Sequence, residues 1–478
     1  MSTTAKQGIW INGKEAGAER YYPLYAPYDR ALLAHVALAG RQEAEAAIDG
    51  AHAAFGAMKD MAAHERSAIL YKVAEQLSGR KEEFARLVTS EAGKPIRTAR
   101  AEVERTIATY RFAAEEANRL YGETVPMDAA PGGEHRLGWT WREPLGVVVA
   151  ICPFNFPLNL VAHKLGPAIA AGNTVVLKPA EQTPLSALAI AVLFHEAGLP
   201  AGALQVITGN GAELGEHLLA DARVKKITFT GSTLVGKELK AKAGLRKMTL
   251  ELGSNAALIV EPDAPVDAIV DRCVEGAFAN AGQVCISLQR IYVHQSIYRA
   301  FSDAFIARTL QLKLGDPALE ETDVSVMIHE REAERIERWV QEALADGALL
   351  GCGGGRRGAL YEPTVLLNVQ PHMAVSCMET FAPVVSIMPY NQLQEAIDCV
   401  NASSYGLNAG IFTNDIDRAF RAARLLEAGG VMINDIPTFR SDHMPYGGVK
   451  ESGYGREGIK YAVEHMTELK FVTLKTQL

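Results

Sequence analysis

Cysteine is scarce in this sequence: there are six in 478 residues, and none forms a CxxC pair. That spacing excludes a disulfide framework or a cysteine-based zinc site, no metal is expected, and a reducing cytoplasm is the simplest location. Long hydrophobic runs are missing as well. None approaches the roughly 18 residues that span a bilayer, and Met1–Gln7 has no apolar signal-peptide core. No membrane partner is therefore expected. There is no basic block, and the net charge of −8 argues against a nucleic-acid binder. Repeats and low-complexity segments are also absent.

What is present has the balance of a soluble globular protein, with 48% hydrophobic and 22% charged residues. The chain is too long for one core, so two or three domains are expected. Residues 8–40 read as short strands, with a hairpin around Asn12-Gly13. From 41 to 121 the apolar spacing is helical, and one helix over 98–120 carries Arg105 and Tyr110. Residues 122–143 combine a Pro-Gly turn cluster with an alternating strand from Leu137, an arm outside the main core that suits oligomer contacts.

Apolar runs at Val147–Ile151, Asn173–Lys178, Leu204–Ile207 and Lys226–Phe229 alternate with helical patterns. That alternation predicts a parallel sheet covered on both faces. A second α/β stretch follows from Leu250 to about 435. Its glycine run Gly351–Gly355 reads as a turn with no strand feeding it. The tail from Met466 reads as a strand that pairs with the 122–143 arm or with another subunit.

One stretch organises the chemistry. Gly282-Gln283-Val284-Cys285 places a cysteine behind a run of small residues, and Glu251 ends the apolar run from Met248. A nucleophile and a general base are the minimum for covalent catalysis at a carbonyl carbon. No histidine lies near Cys285, so a Cys–His hydrolase has no local support, and the other five cysteines have no such setting. Asn155, in Pro153–Pro157, is a suitable oxyanion donor or a helix cap. Asn155, Asn159 and His163 are four apart and share one helical face, either a pocket wall or an ordinary polar face. Phe229–Gly236 joins a strand to a helix, as a pyrophosphate site or a plain turn. Lys178 and Glu181, at a strand's C-terminal end, suit an adenosine ribose, and a carboxylate there favours NAD over NADP; the alternative is a solvated loop pair.

Taken in order, PFNFPL from Pro153, LKPAEQTP from Leu177, FTGSTLVG from Phe229, LELGS from Leu250, GQVC to Cys285, ETFAPVV from Glu379 and PYGGVKESGYGREG from Pro445 resemble the aldehyde dehydrogenase superfamily over nearly the whole chain. The resemblance implies an α/β fold in three parts. A Rossmann-like NAD-binding domain takes 1–121 and 144–250, an α/β catalytic domain takes 251–435, and a small β oligomerisation arm takes 122–143 and 456–478. It implies Cys285 as nucleophile, Glu251 as general base, and Asn155 with the Cys285 backbone N–H as oxyanion hole. The cofactor, NAD or else NADP, would be held by Ile151, Pro153, Phe154, Lys178, Glu181, Gly211, Phe229, Gly231, Ser232, Val235, Leu252, Glu379 and Phe381. A homodimer or homotetramer is implied too. Ser254 and Ala382 depart from common family glycines.

By family position the aldehyde pocket takes Arg105, Asn159, His163, Phe439, Arg440 and His443, beside Val284 and Ile286. Buried arginine and histidine need a polar or anionic partner, so a short hydroxylated or anionic aldehyde is expected. The chain resembles the branch of lactaldehyde and non-phosphorylating glyceraldehyde-3-phosphate dehydrogenases. Arg105 and Arg440 match two phosphate-binding arginines of the latter, but Val284 stands where the third would be. Lactaldehyde-like substrates therefore come ahead of phosphorylated ones. The competing readings are a semialdehyde or general aliphatic aldehyde, a cysteine esterase, a non-catalytic structural protein, and arginines that pair with carboxylates such as Glu102 and read no substrate.

Overall fold

In the computed structural model, residues 6–477 are described; Met1–Ala5, at the start of the expected 1–121 segment and of the region read for a signal peptide, and Leu478 lie outside them. Asn12 and Gly13 take positive φ, 51° and 78°, as a tight two-residue hairpin demands, and join Ile9–Ile11 to Lys14–Ala16. That hairpin edges an eight-stranded sheet. Its centre is Val147–Ile151, flanked in parallel by Thr174–Lys178 and then Leu204–Val206 on one side. Val224–Thr230 and then Lys247–Glu251 lie on the other, also parallel. The short strand Gly453–Tyr454 closes the far edge antiparallel.

The chain order reverses direction between Val147–Ile151 and Val224–Thr230. Crevices for ligands form where such a sheet switches, outside the carboxyl ends of the strands. Helices Asn159–Ala170, Leu185–Glu196, Gly211–Ala220 and Thr233–Lys242 make the connections. The central strands are buried up to Ile151, which is half-buried at the carboxyl end, as continuous Val/Ile runs covered on both faces require.

A seven-stranded sheet follows, in the order Leu349–Cys352, Thr364–Leu367, Val384–Tyr390, Arg290–His294, Ala257–Val260, Asn408–Phe412, Gly430–Ile433. All its pairings are parallel except that of the first strand. That first strand corrects the reading of the glycine run: Gly351 and Cys352 are themselves strand residues. Beyond them Gly353 and Gly354 turn with φ of 77° and 89°.

The tail strand Thr467–Lys475 pairs antiparallel along the whole of Arg136–Pro144, which pairs in turn with Thr124–Val125. Helix Ile459–His465, within the segment grouped with this arm, instead packs on Asn159–Ala170 and sends Ile459 and Val463 into the core of the first sheet. The reason is its amphipathic spacing, which gives the helix an apolar face that a thin three-stranded arm cannot cover. The irregular segment after Gly430–Ile433 crosses back towards helix Ile96–Ala117, and this return brings Asp442 to Arg105 and Tyr446 to Cys285.

Candidate active site

Cys285 follows a turn built from three left-handed residues: Asn280, Ala281 and Gly282 have φ of 51°, 53° and 69°. Such a conformation at Ala281 costs about 1 kcal/mol. Gly282 is required for a second reason, since a Cβ there would lie 2.1 Å from the Ala382 carbonyl oxygen. Hydrogen bonds in this turn run from Gln283 to Asn280, Val284 to Gly282 and Ser287 to Val284, and leave the Cys285 N–H out. The half-buried thiol touches the Tyr446 hydroxyl at 3.0 Å, and Cys285 packs against the apolar cluster of Val284, Ile286, Leu407 and Tyr446, as do Phe156 and Met444. Burial pushes it up to about 11, against the pull of Tyr446 and Arg440.

Glu251 ends the Lys247–Glu251 strand and is only 3% exposed, and neither carboxylate oxygen has a hydrogen-bond partner. Burial first, and the nearby Glu457 carboxylate second, hold it well above the usual carboxylate range. Glu457 is the opposite case. Lys164 at 3.1 Å and Arg440 at 3.0 Å overcome the cost of burial and hold it down to about 2. Two carboxylates pushed apart in this way divide the roles: one stays charged, and the other is poised to take a proton.

Asn155 precedes helix Asn159–Ala170 rather than lying on it, so the expected stripe of Asn155, Asn159 and His163 is broken. Its Nδ2 donates to the Gln283 carbonyl at 2.9 Å, which ties it to the turn before Cys285 and leaves a second amide proton free.

A cleft of about 770 Å³ opens beside these residues. Cys285, Glu251, Asn155, Pro153, Phe154, Gly231, Ser232, Leu252, Glu379 and Phe381 all line it. It lies at the strand-order switch, where Ile151 pairs with both Lys178 and Phe229 in one row across the sheet. The Phe229 ring sits 2.5 Å from where a Gly231 Cβ would be. Ser232 caps helix Thr233–Lys242, its Oγ accepting the Val235 N–H at 3.4 Å, and Leu252 packs under Gly236. Glu181 accepts the Gly211 N–H at 2.9 Å, and the buried Lys178 ammonium reaches the Pro179 carbonyl at 3.1 Å. Burial lowers Lys178 from the usual range for lysine. Glu379 accepts the Ser254 N–H at 3.0 Å and is pushed up to about 7 by burial. Phe381 meets Phe154 edge-on at 5.9 Å. Ser254 and Ala382 are themselves buried, so neither fills the cleft.

The residues expected to read the aldehyde divide. Arg105 bonds Asp442 through Nη2 at 2.7 Å and Nε at 3.1 Å, not Glu102. Glu102 serves the buried Lys94 and the Leu158 and Asn159 N–H groups instead. Asn159 at 2.9 Å and His163 at 2.8 Å reach the same Asp442 oxygen as Arg105. Burial opposes the charge on Asp442, but the His163 and Arg105 bonds outweigh it and hold the carboxyl well below its usual range. Burial, with Arg440 nearby, keeps His163 neutral, so Nε2–H donates and Nδ1 has no partner. Arg440 is buried, paired to Glu457, and stacked on the Tyr446 ring at 3.6 Å. Phe439 and His443 are exposed, and His443 bonds Ser441 and lies against Phe112. Neither is part of the apolar cluster that Cys285 packs against. The loop turns them outward because Asp442, between them, points in.

The model of the aldehyde dehydrogenase family matches residues 10–472. The chain belongs to the aldehyde dehydrogenase family. It is 50% identical over 474 residues to the 3-sulfolactaldehyde dehydrogenase of Priestia aryabhattai, with 99% of each chain covered. Its structure superposes with a TM-score of 0.97 on aldehyde dehydrogenase 21 of Physcomitrella patens in complex with the reaction product succinate, at 42% identity and 99% coverage of each chain. With GapN, the glyceraldehyde-3-phosphate dehydrogenase of Methanocaldococcus jannaschii complexed with NADP, the TM-score is 0.92 at 41% identity, covering 96% of this chain and 100% of that one.

This aldehyde dehydrogenase is thus an oxidoreductase by family, and no helix among its described residues is long and apolar enough to cross a membrane. Four site residues escaped the sequence reading: Asp442, Tyr446, Glu457 and Lys164. Tyr446 and Glu457 lie inside a quoted motif. Lys164 is a lone cation in the otherwise apolar stretch after His163, a signal in itself. Asp442 carries no local signal, because its Arg105 partner is 337 residues away.

Proposed function

We propose that this chain oxidises a short 2-hydroxy aldehyde with an anionic far end to the carboxylic acid, using NAD in preference to NADP. The observation that carries the reading is Arg105. Its side chain is about one-third exposed (32%), it is held by Asp442 through Nε and Nη2 only, and it lies 5.8 Å over the Phe156 ring, which packs on the same apolar cluster as Cys285. The free Nη1 edge suits a carboxylate, sulfonate or phosphate one ring away from the reacting carbon. Each of the three similar proteins is named for, or holds, an anionic compound: a sulfonate, a dicarboxylate product and a phosphate. The anionic form therefore moves ahead of plain lactaldehyde.

The cleft suits a dinucleotide. Its lining has a helix N-terminus at Ser232 and a glycine that admits no side chain; Lys178 and Glu181 lie outside that lining, at the end of the Thr174–Lys178 strand, with Glu181 disfavouring a 2′-phosphate. Lys178 and Glu181 would hold the adenosine ribose, Gly231 and Ser232 the pyrophosphate, and Glu379 with Phe381 the nicotinamide end. When bound, the cofactor supplies the hydride acceptor.

Within this reading the chain does the rest. The Cys285 thiolate adds to the aldehyde carbon, and the new oxyanion meets the free Asn155 amide proton and the Cys285 N–H. After oxidation to the thioester, Glu251 takes a proton from water, which adds to the carbonyl carbon; the C–S bond breaks and the acid leaves. Glu251 favours hydrolysis over acyl transfer to coenzyme A. The 122–143 and 467–475 strands would serve self-association. Leu137, Trp141 and Leu474 are exposed on one face, and Thr467–Lys475 has a free outer edge.

The test is a rate panel crossing NAD and NADP with 3-sulfolactaldehyde, glyceraldehyde 3-phosphate, succinic semialdehyde, lactaldehyde and hexanal. The anionic aldehydes should give the highest kcat/KM, and Arg105→Leu should lose that advantage. A win for hexanal would remove Arg105 from the substrate site.

A further inference from the structure

We propose that Tyr446 is a further catalytic residue: its O–H donates to Cys285 Sγ and stabilises the thiolate both before attack and as it departs from the thioester. This rests on Cys285 being the nucleophile. The hydroxyl is 3.0 Å from the sulfur, and the ring is 3% exposed. No other side chain among the described residues hydrogen-bonds that sulfur, so one buried donor sets its polar environment.

The ring is fixed from behind. Arg440 stacks on it at 3.6 Å and is itself anchored to Glu457 at 3.0 Å. Phe156, Val284 and Leu407 close the apolar sides. The charged groups facing the thiol are Arg440, which favours the thiolate, and Glu379 and Glu251, which oppose it. Burial holds the phenol well above its ordinary range, so Tyr446 keeps its proton and stays a donor wherever the thiolate exists. A thiolate has no proton, so the direction of this bond is fixed once Cys285 ionises. In the return step the C–S bond breaks, its electron pair goes to Sγ, and the same O–H receives the charge.

The discriminating variant is Tyr446→Phe, which keeps the ring, its packing and the Arg440 stacking. The experiment follows inactivation by iodoacetamide across pH, with the labelled residue identified by mass spectrometry and Cys285→Ala as control. A hydrogen bond to a charged group should move the midpoint of the Tyr446→Phe profile up by about one pH unit and slow neutral-pH labelling about tenfold. Dinucleotide binding and the melting temperature should hold, which separates the effect from misfolding. Superimposable profiles for wild type and Tyr446→Phe would overturn the proposal while leaving Cys285 as nucleophile. Inactivation that does not label Cys285 in the wild type would overturn the nucleophile reading, and this proposal with it.

Discussion

Replacing Asp442 with asparagine tests whether Arg105 is aimed by its partner or merely neutralised by it. One Asp442 oxygen accepts Arg105 Nη2, Asn159 Nδ2 and His163 Nε2, while the other accepts only Arg105 Nε. Asparagine can keep its carbonyl at the first position, but its amide then faces the Arg105 N–H, donor against donor. Bonds to a charged acceptor exceed neutral ones by about 1 kcal/mol each. The Arg105 pair, one-third exposed on the arginine side, is discounted to about 1 kcal/mol for solvent screening. The loss is then about 3 kcal/mol, or a melting point lower by about 3 °C for a chain this long that melts as one unit. Function should change selectively. With Arg105 released, KM for an anionic aldehyde should rise about tenfold, the worth of one aimed charge-assisted bond, while kcat/KM for a short neutral aldehyde holds. The assay is steady-state kinetics on both substrates beside a thermal melt. Equal losses on both would show that Asp442 supports the pocket generally, and no loss on either would refute the aiming argument.

Cys285→Ala should abolish dehydrogenase turnover, and substantial residual activity would remove it from the nucleophile's role. Glu251 is held high, so hydrolysis should rise with pH through that raised value, and Glu251→Gln should flatten the profile. Stability gives an independent check. A raised carboxylate costs stability as pH climbs from the unfolded value to the folded one, so Glu251→Gln should be the more stable protein at alkaline pH. Asp442 has the opposite sign: its stabilisation is full above about pH 4 and lost as pH falls towards its depressed folded value, so Asp442→Asn should show a shallower acid transition. Gly282→Ala should cost most of the soluble yield or the activity, because a Cβ 2.1 Å from the Ala382 carbonyl oxygen, at φ of 69°, forces the turn before Cys285 to move. An active, crystallisable Gly282→Ala enzyme with an unmoved turn would contradict that geometry.

Much of the architecture was legible because it is written locally. Continuous Val/Ile runs such as Val147–Ile151 mark strands buried on both faces, and the Asn12-Gly13 pair sets its hairpin by backbone preference alone. Gly282 signalled the crowded turn under Cys285. The helical reading of the Asn155 stripe failed because Asn155 lies outside the helix, where periodicity has no force. The exposure of Phe439 and His443 was not legible, because in an irregular loop one inward residue decides which neighbours face out.

The amino-acid sequence alone determined the strand–helix alternation, the parallel sheets it implies, and the presence of a cysteine behind a run of small residues with a carboxylate at the end of an apolar strand. Those properties follow from nearest-neighbour spacing and from what backbone can do at each residue. Only the tertiary structure decided which carboxylate is held low and which is pushed high, that Asp442 rather than Glu102 grips Arg105, and that Tyr446 touches the sulfur. These are properties of burial and of contacts across 337 and 161 residues of chain, and the field at a site is set by what folding brings near it.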